Sequence, residues 1–85
     1  MKKEDEKEKL LVAFGKAILE LRTENNWSQE ELADYAGLER ASILRIENGK
    51  NDDVLLGTIL KLSRAFKMHP EKLISYTLEI QSKMP

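Results

Sequence analysis

The side chains best suited to specific polar recognition in this chain fall between Arg40 and Lys50. Wound as a helix at about 100° per residue, that stretch puts Ile43 and Ile46 on one side. Ala41, Leu44, Arg45 and Asn48 then point the opposite way, with Arg40 and Ser42 on the flanks of the first turn. A guanidinium can donate two parallel hydrogen bonds to a guanine edge, and alanine or leucine can touch a thymine methyl. The outward face is therefore chemically suited to reading base pairs. Leu44 adds to this, because a purely solvated face gives leucine little to do, although single exposed leucines are common.

Other chemistries are poorly supplied. The absence of cysteine excludes disulfides, thiolate nucleophiles and cysteine-ligated zinc. The one histidine, His69, stands just before Pro70 and reads as a helix-entry or surface residue, not a metal ligand. General acid–base catalysis needs a positioned titratable pair in a pocket, and short helices with a single histidine offer little toward one. The sequence reads as non-enzymatic, with no cofactor and no metal.

Eighty-five residues make one domain with one core. Apolar residues are 41% of the chain, with no run near the roughly 20 residues that span a bilayer. The N-terminus lacks the apolar centre of a secretory leader, so no membrane partner is expected and a cytoplasmic location fits. A net charge of −1 argues mildly against nucleic acid. Location matters more than the total, however. The acids gather in Glu4, Asp5, Glu6 and Glu8 and in Glu30, Glu31 and Asp34, whereas Arg40, Arg45 and Lys50 face only Glu47 within their stretch.

The elements that must position this face are legible in turn. Residues 1–9 are a charged N-terminal segment of alternating sign, read as a solvated arm or a helix extension. From Leu10, the residues Leu11, Phe14, Ile18 and Leu21 recur at three and four, with Ala17 beside them, as one apolar stripe. Trp27-Ser28-Gln29-Glu30-Glu31-Leu32 then carries a capping box between Ser28 and Glu31 and a hydrophobic staple between Trp27 and Leu32. Gly37, nine residues after Ser28, suits a left-handed helix end, and Asn48-Gly49 closes the next periodic segment. Two more helices follow the polar loop Lys50–Asp53, one over about Leu56–Phe66 and one from Pro70 to about residue 82. No segment alternates as a strand would.

Two short helices joined by a glycine turn are the signature of a helix-turn-helix, here at about residues 28–48. The run SQEELADYAGLERASILRIENGK, preceded by LVAFGKAILELRTENNW, resembles the phage-repressor/Cro-type (XRE-like) helix-turn-helix family over roughly residues 10–75. The resemblance rests on Ser28-Gln29-x-x-Leu32-Ala33, on Gly37, and on Ile43-x-x-Ile46-Glu47-Asn48-Gly49-Lys50. It implies an all-α, five-helix lambda-repressor-like domain over residues 10–82 that binds double-stranded DNA, with a recognition helix at about 39–48 in the major groove.

The resemblance also implies roles by position. Gln29 matches a residue that holds the DNA backbone, with Ser28 assisting. Arg40, Ala41, Leu44 and Arg45 match base-facing positions, while Ser42, Asn48 and Lys50 match positions that touch sugar and phosphate. Arg22 and Glu47 match an ion pair between the first and third helices. Ser42 stands where an aromatic is common and Leu44 where a polar residue is common, so the target sequence does not carry over. The loop Lys50–Val54 lacks the proline often found before the fourth helix.

Domains of this type usually act as dimers on symmetric sites. The last segment is more apolar than one packed face needs, so Tyr76, Leu78, Ile80 and Met84 are expected at a homodimer contact, unless they only close the monomer core. The competing reading is a protein-interaction module in which Leu44 centres the contact and the helix-turn-helix is only scaffold. Salt separates the two, because binding through Arg40, Arg45 and Lys50 to phosphate weakens steeply as salt rises.

Overall fold

The computed structural model describes residues 3–85, which contain five α-helices and no strand. They are α1 (Lys3–Glu24), α2 (Gln29–Ala36), α3 (Arg40–Glu47), α4 (Leu56–Ala65) and α5 (Pro70–Ser82). The charged stretch over residues 1–9, read as an arm or a helix extension, is, from Lys3 onward, the first part of α1. Lysine and glutamate are good helix formers and no glycine or proline intervenes, so nothing stops the helix there. The first two residues of that stretch lie outside the described residues.

Burial on α1 is wider than the single stripe expected. Leu11, Phe14, Ala17, Ile18 and Leu21 are buried as anticipated, and Ala13 and Gly15 are buried as well. The reason is that α1 is packed on two sides, by α5 and by α3. Helix α2 packs against α3 and α4, and α4 against α5. All five helices meet in one core, to which α2 gives Leu32, Ala33 and Ala36, α3 gives Ile43 and Ile46, and the last two give Leu62, Ala65 and Leu73.

Four of the helices stop in the same way. Asn26, Gly37, Gly49 and Lys67 take left-handed φ values of 58°, 69°, 65° and 55°. The N–H of the following residue then reaches back five positions, from Trp27 to Arg22, Leu38 to Ala33, Lys50 to Arg45 and Met68 to Ser63, at 2.9–3.1 Å. This pattern satisfies helix-end carbonyls and is usually sealed by an apolar residue folding back onto the helix. Trp27, Leu38 and Met68 do fold onto the core. Lys50 does not; it is exposed.

Trp27 and Ser28 together fix the entry to α2. Leu32, its expected staple partner, is fully buried, while the indole stacks on Phe66 at 5.8 Å and 14° and tilts against Tyr35 at 4.6 Å. The tryptophan thus ties the start of α2 to the end of α4, a structural role. At α5, Pro70 opens the helix and His69 is an exposed N-cap residue whose side chain makes no capping bond. Among the described residues no helix is long and apolar enough to cross a membrane.

Candidate nucleic-acid interface

The two helices of the turn are anchored differently. At the start of α2, Ser28 Oγ accepts the Glu31 N–H at 3.0 Å and Glu31 Oε1 accepts the Ser28 N–H at 2.9 Å, the full capping box. At the start of α3, the N-cap residue Glu39 makes no side-chain bond to the helix. Ile43 and Ile46 are buried beneath α3, so the opposite face is the one presented to solvent. Arg40, Ala41, Leu44, Arg45, Asn48 and Lys50 are all exposed, and Ser42 is half-buried. Leu44 is 43% exposed in the middle of that face. Arg45 Nη2 lies 3.4 Å from Ser42 Oγ, a loose contact that leaves the guanidinium free to turn outward.

Glu47 faces the other way. Its carboxylate accepts Arg22 Nε at 2.6 Å and Nη2 at 3.0 Å, while Arg22 Nη1 donates to the Trp27 carbonyl at 2.9 Å. The two side chains are only 14% and 5% exposed. The bond to Glu47 raises the Arg22 pKa above its ordinary value, against an opposing push from burial, and the carboxylate charge adds to the rise. Glu47 Oε1 also accepts Gln29 Nε2 at 3.0 Å. Gln29 is therefore half-buried and bonded inward, a partner the sequence did not suggest. Ser28 is exposed beside it.

The electrostatic result follows directly. The one acid between Arg40 and Lys50 is turned inward and paired, so the exposed charges of that stretch are Arg40, Arg45 and Lys50. A fork-shaped guanidinium gripping a carboxylate with two N–H groups is the strongest ordinary ion-pair geometry. It lets the acid sit behind the exposed face of α3 without lowering the field in front of it.

A close backbone approach places α3 on α1. A Cβ built on Gly15 would lie 2.3 Å from the Ile46 carbonyl oxygen and 3.0 Å from that of Glu47. Only a residue without a side chain lets α1 cross the end of α3 at this distance. Beyond that crossing Gly49 lies against Val12, and a cleft of about 530 Å³ opens between Lys7, Glu8, Val12, Asn48, Lys50 and Asp52. Lys7 Nζ also lies 3.8 Å from Asp53 Oδ2, an exposed pair.

The four residues expected at a dimer contact do not share one face. The Tyr76 hydroxyl donates to Glu20 of α1, and that bond, chiefly, pushes its pKa up to about 12. Tyr76 and Ile80 line a cleft with Lys16 and Glu20, whereas Leu78 borders another with Leu10; Met84 reaches both. Tyr76, Ile80 and Met84 are half-buried, and Leu78 is exposed. Leu55, Leu56, Leu60 and Ile74 are also exposed, with Leu55 and Leu56 at 75% and 69%.

A short capped helix, a left-handed glycine turn and a second helix held from behind define a helix-turn-helix domain. The sequence matches the helix-turn-helix family over residues 18–73, and the chain belongs to that family, in its XRE-type form. It is 40% identical over 62 residues to the HTH-type transcriptional repressor RghR of Bacillus subtilis (strain 168), covering 73% of this chain and 46% of that protein. It is 36% identical over 69 residues to the HTH-type transcriptional regulator RghRB of the same organism, covering 81% of this chain and 50% of that protein. The chain thus spans about half the length of these two relatives. Among solved structures it is similar to the restriction-modification controller protein C.AhdI from Aeromonas hydrophila, with TM-score 0.70 and 43% identity over 74% of this chain and 94% of that one. The hypothetical transcription factor NHTF from Neisseria gives TM-score 0.70 at 28% identity over 76% of this chain and 74% of that one.

Proposed function

We propose that this domain is a sequence-specific, duplex-DNA-binding transcription regulator that works as a homodimer on an inverted repeat in the cytoplasm. The observation that carries the reading is the inward, neutralised Glu47, which leaves Arg40, Arg45 and Lys50 as the exposed charges of the recognition segment. In this reading α3 enters the major groove, with Arg40, Ala41, Leu44 and Arg45 at base edges. Gln29 with Ser28 on one side, and Ser42, Asn48 and Lys50 on the other, meet the sugar-phosphate backbone. The names of the relatives, a repressor and a controller protein, support a regulatory role. The second copy has apolar surface to cover at Leu55, at Leu56 and Leu60 of α4, and at Ile74 and Leu78 of α5.

Selection from a random duplex library tests this, with the double variant Arg40→Ala/Arg45→Ala as control. The expected result is an enriched inverted repeat that the double variant fails to enrich. Lys50→Ala is expected to weaken binding alike for all sequences and to reduce the salt slope by about 1. Sedimentation at high micromolar concentration should give twice the monomer mass. No enrichment at low salt would refute the DNA reading and favour a protein partner on the Leu44 face.

A further inference from the structure

We infer that Glu47 is a positioning residue for DNA-backbone contact: it fixes the Gln29 amide so that a defined N–H is offered to a phosphate, while Arg22 cancels its charge. The inference rests on the DNA-binding reading above and adds a role to a residue that would otherwise count only as half of an ion pair.

The chemistry of the three groups dictates the arrangement. An ionised carboxylate only accepts hydrogen bonds, and a glutamine side chain ends in one acceptor and one two-proton donor. With Glu47 Oε1 at 3.0 Å, the Gln29 group turned toward it must be the NH₂. One of its two N–H groups is thereby held by Glu47, and among the described residues Gln29 makes no other side-chain hydrogen bond. The second N–H stays available to an acceptor outside the protein. Without Glu47 the amide could rotate and present its carbonyl oxygen, which a phosphate repels.

A carboxylate so close to a phosphate site would ordinarily oppose binding. Here Arg22 answers it with two bonds to the same group, at 2.6 and 3.0 Å, and Glu47 Oε1 is shared between Arg22 Nη2 and Gln29 Nε2. The third Arg22 bond, to the Trp27 carbonyl, fixes the guanidinium against the residue that precedes Ser28. The acid therefore orients without repelling. The same network ties the last residue of α3 to the first residue of α2, so base-facing and backbone-facing side chains are placed by one group.

The test uses the duplex selected by the wild-type chain, remade with a neutral methylphosphonate at each backbone position in turn. The wild type is expected to lose about ten-fold in affinity at a position set by Gln29, and Gln29→Ala to be indifferent there. Glu47→Met, which has no oxygen to hold the Gln29 amide, should become indifferent at the same position while staying sensitive at the position that Lys50→Ala identifies. Because an unpaired Arg22 could unfold that variant, Arg22→Met/Glu47→Met is measured beside it; replacing both charges with apolar groups avoids a lone buried charge. Loss of sensitivity in a variant whose thermal transition is cooperative supports the inference. Sensitivity retained at the Gln29 position in either folded variant overturns it, with DNA binding intact. A wild type that selects no duplex overturns the DNA-binding reading itself, and this inference with it.

Discussion

Helices α2 and α3 are each eight residues long and both end on a left-handed glycine, yet their starts and the residues that follow those glycines differ. α2 is closed by its own neighbours: a capping box in front, and Gly37 with a core-seeking Leu38 behind. α3 has an uncapped start at Glu39 and ends on Gly49 with an exposed Lys50. What α3 lacks in local closure it receives from distant parts of the chain, through Gly15, Arg22 and Gln29. The difference teaches that a helix can be held from its inner side by distant residues while its start and outer face stay uncommitted.

The largest expected effect comes from cutting the long-range hold. Arg22→Ala leaves the Glu47 carboxylate buried without its counter-charge and should cost about 3 kcal/mol in chemical denaturation. Gly15→Ala comes next. Its methyl would meet backbone oxygen at 2.3 Å, so α1 and α3 must separate, at a cost of about 2 kcal/mol and a thermal midpoint lower by roughly 8–16 °C. If either variant melts like the wild type, α3 is not held in the way described.

The local hold gives smaller numbers and a sharper contrast. Ser28→Ala should cost about 1 kcal/mol, whereas Glu39→Ala, with no side-chain cap to lose, should lie within about 0.5 kcal/mol of wild type. Equal costs would erase the distinction between the two helix starts. Tyr76 offers a control remote from both, because its bond to Glu20 ties α5 to α1. Tyr76→Phe should cost about 1 kcal/mol at neutral pH. The tyrosine pKa is about 10 when unfolded and is pushed up to about 12 when folded. Its contribution is therefore complete below about pH 10 and lost as pH rises toward 12. Urea melts of the wild type across that range should show the loss, and those of Tyr76→Phe should lack this step. The smallest effect is a gain: Lys67→Gly relieves a left-handed lysine and should stabilise by about 0.5 kcal/mol, read as a higher urea midpoint.

Features that are local in the chain were legible from the residues. The stripe from Leu11 to Leu21, the Ser28–Glu31 box, Gly37, Asn48-Gly49 and Pro70 each act through neighbours a few positions away, and they gave five helices with nearly their observed ends, except that α1 starts at Lys3 and not at Leu10. The exposed side of α3 was legible too, since Ile43 and Ile46 set its phase. What escaped depends on contacts between distant residues. Gly15 has no turn to explain it; its reason is a backbone oxygen on α3, and the one hint was its place between the small residues Ala13 and Ala17. Lys67 occupies a left-handed position that sequence reading reserves for glycine or asparagine. The inward bond of Gln29 required knowing where Glu47 would lie. The apolar residues of α5 were visible, but not that Tyr76 and Leu78 would border different clefts.

The two sides of α3 carry separable information. Ile43, Ile46 and Glu47 face inward and hold the domain together, while Arg40, Ala41, Leu44 and Arg45 face outward, away from the core. Exchanging exposed residues usually shifts stability by no more than about 0.5 kcal/mol. The outer four can therefore be rewritten as a set with the scaffold unchanged, which makes this domain a chassis whose exposed face is free to vary.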